Sequence, residues 1–107
     1  MRADDLDALK QLQAASNTEM AHTIRHYLYF PHEHVAKEVA ATLREHGFLV
    51  EDRLGADNVN WLVLVKTRMV PKESAVAEMC ESFERIAAEN GGEHDGWEAD
   101  VLSNHQD

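Results

Sequence analysis

Val59-Asn60-Trp61-Leu62-Val63-Leu64-Val65-Lys66-Thr67 is the most apolar run of the chain, and its reading decides the fold. Trp61, Val63 and Val65 share one parity, Leu62 and Leu64 the other, so an extended strand here is apolar on both sides. That pattern predicts a central strand over residues 59–67, covered on both faces. Before it, Leu54-Gly55-Ala56-Asp57-Asn58 has turn chemistry and predicts a hairpin back to a strand over 48–53. Gly47 supplies the left-handed position that ends a helix over 32–46, whose stripe is Val35, Ala36, Val39, Ala40 and Leu43. Pro31 closes a strand over 22–30, with Ile24, Leu28 and Phe30 on one face and Arg25, Tyr27 and Tyr29 on the other.

After the central run, Pro71 fits the first turn of a helix reaching residue 89, where its missing N–H is harmless. Val76, Met79, Cys80, Phe83, Ile86 and Ala87 form its buried stripe, and Asn90-Gly91-Gly92 stops it. Trp97, Ala99 and Val101 alternate with Glu98 and Asp100, which predicts a final strand. Upstream, Leu6, Leu9 and Leu12 predict a short helix over 4–15, broken by Ser16-Asn17-Thr18. Past that helix the order is β-α-β-β-α-β. Right-handed crossovers then place two helices on one face of a four-stranded antiparallel sheet, an α+β ferredoxin-like sandwich with its first and third strands central. The expected organisation is an N-terminal helix and linker over 1–18, the sandwich over 19–103 and a short tail over 104–107. The pattern leaves open whether the extra helix covers the open sheet face or an edge.

The 107 residues suffice for one domain, and 44% apolar residues support a packed core rather than disorder. No apolar run approaches the roughly 20 residues of a membrane span. The start, Met1-Arg2-Ala3-Asp4-Asp5, lacks the basic-then-apolar order of a secretion signal. Cys80 is the sole cysteine. Together these features lead us to expect a cytoplasmic protein. Net charge is −10, and from residue 69 onward ten acids face only Lys72 and Arg85. Such a field repels phosphate backbones and anionic lipid and attracts basic protein segments. The candidate partner-binding residues are therefore Glu78, Glu81, Glu84, Glu89, Glu93, Asp95, Glu98 and Asp100. The bland alternative for the same charge is solubility.

Catalytic constellations are weak. His32 and His34 point apart on a helix, and His22 and His26 lie roughly 13 Å apart along a strand. There is no cysteine pair and no His-Glu-x-x-His run, so the seven histidines read as scattered surface residues and no metal or other cofactor is expected. Cys80 sits on an apolar stripe and reads as a buried small hydrophobe. Ser74 and Ser82 have no evident base, and no phosphate-cradling glycine loop is present. Tyr27 and Tyr29 on the first strand invite comparison with RNA-recognition modules, but the third strand lacks their aromatic, basic signature and the charge opposes RNA, so direct nucleic-acid binding is not expected. The tyrosines are expected to pack under the first helix or at an interface.

Residues 25–101 resemble the ribonuclease E inhibitor B (RraB) family. The resemblance rests on Tyr29-Phe30-Pro31 before an Ala- and Val-rich helix, then Leu43-Arg44-Glu45-His46-Gly47-Phe48-Leu49-Val50, then Trp61-Leu62-Val63-Leu64-Val65 leading into Met69-Val70-Pro71. Its most specific part is Gly91-Gly92-Glu93-His94-Asp95-Gly96-Trp97-Glu98. The resemblance implies a ferredoxin-like fold, no enzymatic activity, and binding to the endoribonuclease RNase E through its Arg-rich scaffold, which restrains RNA cleavage. It implies no catalytic residue. Longer relatives carry an acidic C-terminal extension, whereas this sequence stops at Asn104-His105-Gln106-Asp107. A reading from another class is a protein- or small-ligand-binding module that dimerises through the open sheet face, using Arg25, Tyr27 and Tyr29.

Overall fold

A computed structural model describes residues 2–102. The elements are α1 (Ala3–Ala15), β1 (His22–Phe30), α2 (Glu33–Glu45), β2 (Leu49–Leu54), β3 (Trp61–Met69), α3 (Glu73–Glu89) and β4 (Glu93–Ala99). One antiparallel sheet holds the strands in the order β2-β3-β1-β4, so β1 and β3 are central and the fold is ferredoxin-like. The tail expected over 104–107 lies outside the described residues. Among the described residues, no helix is long and apolar enough to cross a membrane.

β1 alternates buried and half-buried residues without a break. Its buried set, His22, Ile24, His26, Leu28 and Phe30, faces a helical layer; Thr23, Arg25, Tyr27 and Tyr29 face away from it. α2 packs on β2 and β3, and α3 on β1 and β4. Phe30, Leu28, Val63, Val65, Phe83 and the α2 stripe of Ala36, Val39, Ala40 and Leu43 make the larger apolar cluster. A second cluster joins Leu9 and Leu12 of α1 to Ile24, Val76, Cys80 and Trp97. α1 therefore extends the helical layer beyond α3, against β4, and leaves the open sheet face uncovered. The tyrosines do not pack under it, which removes the first of the two places expected for them.

Three other expectations need correction. Leu62 and Leu64 are buried on the open face with, among the described residues, no helix above them, and are flanked across the strands by Tyr29, Arg53, Tyr27 and Glu51. Pro71 precedes α3, whose N-cap is Lys72, instead of occupying its first turn. Val101 is exposed and lies beyond β4, which instead begins four residues before Trp97.

α2 and α3 end in the same hydrogen-bonded turn. Gly47 N–H bonds to the Arg44 carbonyl and Phe48 N–H to that of Leu43; Gly91 and Gly92 repeat the pattern on Ala88 and Ala87. Gly47 has φ +89° with open space around it, whereas a Cβ on Gly92 would run into the Phe30 ring and the Tyr29 carbonyl. Gly47→Ala is thus expected to cost about 1 kcal/mol, the left-handed penalty alone. Gly92→Ala forces backbone and core apart and is expected to cost about 3 kcal/mol or more. Urea unfolding of both variants checks the order; a Gly92→Ala midpoint equal to that of the wild type would contradict the close packing.

Candidate functional site

β4 organises the polar chemistry. Its register against β1 shifts between His26 and Leu28, where Gly96 has φ +114°. This bulge lets His94 and Trp97, three residues apart, both turn toward the helices. Glu93 and Glu98 keep the opposite side, across from Tyr29 and Arg25.

On the open face, Arg25 Nε donates to Glu98 Oε1 at 3.0 Å, and its Nη2 donates to Asp100 Oδ1 at 3.0 Å. The Tyr27 hydroxyl donates to the same Glu98 oxygen at 2.5 Å. The Tyr27 bond, then Arg25, hold the Glu98 carboxyl below its ordinary range, and Arg25 does the same for Asp100. The Arg25 guanidinium and the Tyr27 phenol are both pushed up, by Asp100 first and by Glu98 first respectively. Glu98 and Asp100 are therefore ionised but half-neutralised by a fixed cation. At the other end of β4, Glu93 and Asp95 share a hollow of about 360 Å³ with Tyr29, Asp57 and Asn60. The backbone N–H groups of Val59 and Asn60 hold the Asp57 carboxyl below its ordinary range.

The acids expected to form one surface are thus divided. Glu78, Glu81 and Glu89 are exposed on α3, Glu93 and Asp95 line the hollow, and Glu98 and Asp100 meet Arg25. Glu84 turns inward, to a cluster that sequence inspection missed. Arg2 Nε forms an ion pair with Glu84 Oε1 at 2.9 Å and lies 3.5 Å from Asp5 Oδ2. Arg2 Nη2 also donates to the His94 carbonyl at 2.6 Å and approaches His94 Nδ1 at 3.1 Å. Asp5, Glu84 and His94 bring their ligand atoms within 4.8 Å of one another, the arrangement a cation wants, and the Arg2 guanidinium serves as that cation.

His94 continues inward. Its Nε2 lies 3.1 Å from His26 Nδ1, and His26 packs on Phe83 at 4.6 Å between ring centroids. With Arg2 able only to donate, His94 Nδ1 accepts, so its Nε2–H donates to His26 Nδ1 and both rings are neutral. Burial, then His94, pushes His26 down to about 3; burial is also the main cause that lowers His94. His22 is buried as well, between Ser16 Oγ at 2.7 Å and the Met20 carbonyl at 2.7 Å. His22, His26 and His94 are therefore not surface residues. The signal for the first two was present in the sequence: they share the parity of Ile24 and Leu28. Burial drives the Cys80 thiol up to about 12, so it is inert as a nucleophile.

The family model described as regulator of ribonuclease activity B, RraB, matches residues 2–99. The chain belongs to the RraB family. A search of curated proteins gives no match. The RraB match includes α1, in keeping with the burial of Leu9 and Leu12 in the shared core. The run by which the sequence resembles RraB, Gly91 to Glu98, has a structural role at nearly every position. Two glycines cap α3, His94 meets His26, Gly96 makes the bulge and Trp97 fills the second cluster.

The neutral histidine pair sets an acid limit on this RraB-family fold. Below pH 6.5 the unfolded chain takes up protons that folded His26 refuses, so stability falls as pH drops toward 3, by about 1.4 kcal/mol per unit for one histidine. Between pH 7 and 5 the expected loss is about 2 kcal/mol from His26, with His94 adding to it. Urea unfolding at the two pH values measures it. His26→Gln, which keeps an acceptor for His94, should flatten the dependence.

Proposed function

We propose that this chain is a non-enzymatic regulator that binds RNase E through that enzyme's basic scaffold region and so modulates RNA degradation. The RraB match over nearly the whole chain carries this reading. Charge supports it: −10 overall, with exposed carboxylates on α3 and along β4. Opposite charge on an Arg-rich segment accelerates encounter and selects the partner, and a disordered scaffold can order as it binds. The contact acids are Glu78, Glu81, Glu89, Glu93, Asp95, Glu98 and Asp100. Glu84, engaged with Arg2, drops out of the set.

Pull-down of purified chain with the RNase E scaffold tests this. Binding at about 50 mM salt should weaken tenfold or more by 300 mM as the charges are screened. Combining Glu93→Gln with Asp95→Asn should slow association several-fold with little effect on folding, since both residues are exposed. No binding at low salt removes RNase E as the partner.

A second reading is favoured by the uncovered open face, where Arg25, Tyr27 and Tyr29 stand beside the buried Leu62 and Leu64. It is a module that dimerises, or takes a small ligand, through this face. Sedimentation would then show a dimer that Tyr27→Ala disperses, and a monomer at high concentration would count against self-association.

A further inference from the structure

β4 ends the sheet, and among the described residues no strand pairs with its outer side. Alongside it runs a groove of about 350 Å³ between α1 and β4. Ala8, Leu12 and Ala15 form one wall; Trp97, Ala99 and Val101 form the other. Trp97 and Ala99 face the helical layer and Glu98 the open face, yet all three line this groove. It therefore runs along the strand's edge, where both faces are within reach. An edge strand offers unpaired N–H and C=O groups, which an extended segment can satisfy whatever its sequence; here Arg2 takes the His94 carbonyl, and Ser16 and Asn17 take the Leu102 N–H and C=O beyond the strand, so the edge on offer lies between these two points. Trp97 adds an indole Nε1 that is buried and lacks a hydrogen-bond partner.

The charge around the groove selects its occupant. β4 carries Glu93, Asp95 and Glu98, is followed by Asp100, and contains no lysine or arginine; Arg25 of β1 offsets part of the charge of Glu98 and Asp100, and the balance stays negative. On α1, Asp4 shares the groove stripe and Asp7 flanks it, while Lys10 falls on the opposite side of the helix. A second copy of this edge would set carboxylates against carboxylates, which destabilises strand pairing. A nucleic acid backbone meets the same repulsion. A basic, extended polypeptide fits both the charge and the backbone.

We propose that the outer edge of β4, with the α1 groove beside it, is the docking site, where an Arg- or Lys-rich protein segment adds as a fifth strand. This rests on the partner reading above and assigns the place and the conformation in which that partner binds.

The test uses the full chain and the purified RNase E scaffold at low salt. Gln11 and Ala15 are exposed groove residues; Gln13 and Ala14 are exposed on the far side of α1. Gln11→Arg with Ala15→Arg should weaken binding at least tenfold, and the charge-matched Gln13→Arg with Ala14→Arg less than threefold. Amides of β4 should gain at least tenfold hydrogen-exchange protection on binding. In a Trp61→Phe background, the emission of Trp97 should change with the same affinity. Equal losses in both arginine pairs mean that net charge alone matters and overturn the proposal. No loss in the groove pair, unchanged β4 exchange or unaltered Trp97 emission with binding intact also overturn it, leaving the partner reading standing. If the wild-type chain fails to bind, the partner reading falls, and this proposal with it. Self-association of the wild type that the groove pair abolishes would give the groove to a second copy and overturn the basic-segment assignment.

Discussion

A strand shows only every second side chain to one side, and β1 devotes its inward positions to His22, Ile24, His26, Leu28 and Phe30. Because β1 is bonded to both β3 and β4, this one alternation decides what every other layer must accommodate. Leu28 and Phe30 seat α2 and α3, and Ile24 seats α1. The two histidines between and before them have no apolar option. Each is satisfied by a dedicated partner, Ser16 and Met20 for His22, His94 for His26. A one-residue slip of β1 would bury Arg25 and expose Phe30, so register is enforced by both its polar and its apolar members.

The bulge at Gly96 answers the same constraint from the other strand. Without it, His94 and Trp97 would face opposite sides, and either the histidine pair or the second apolar cluster would be lost. With it, one short strand supplies a buried imidazole, a buried indole and a row of outward carboxylates. Beside the buried imidazole, Arg2 bonds to His94 and pairs with Asp5 and Glu84, which ties the start of α1 to β4 and α3, while Leu9 and Leu12 hold the rest by packing.

Much of the fold was legible in the sequence because it depends on local periodicity. The parity of residues 22–30, the stripe of α2 and the turn at Gly47 each involve neighbours within one or two turns. The start of β4 was not legible, because a bulge breaks the two-residue period that would reveal it. Nor was the place of α1: its stripe says that it is buried, not against what. The candidate site was less legible still. Composition shows that acids abound, yet Glu84 turns inward because Arg2, more than eighty positions earlier in the chain, reaches it. Charge can be counted from the sequence, but its direction depends on contacts that cross the fold.

Cys80 lies at the centre of the second cluster, fully enclosed and with its thiol near 12. As the sole sulfhydryl it makes the molecule its own clock. An alkylating reagent can reach it only when α1 or α3 swings away, so the labelling rate reports how often that half of the structure opens. The same seclusion lets a cysteine introduced on the surface be tagged selectively in the native state, with the original thiol left in place.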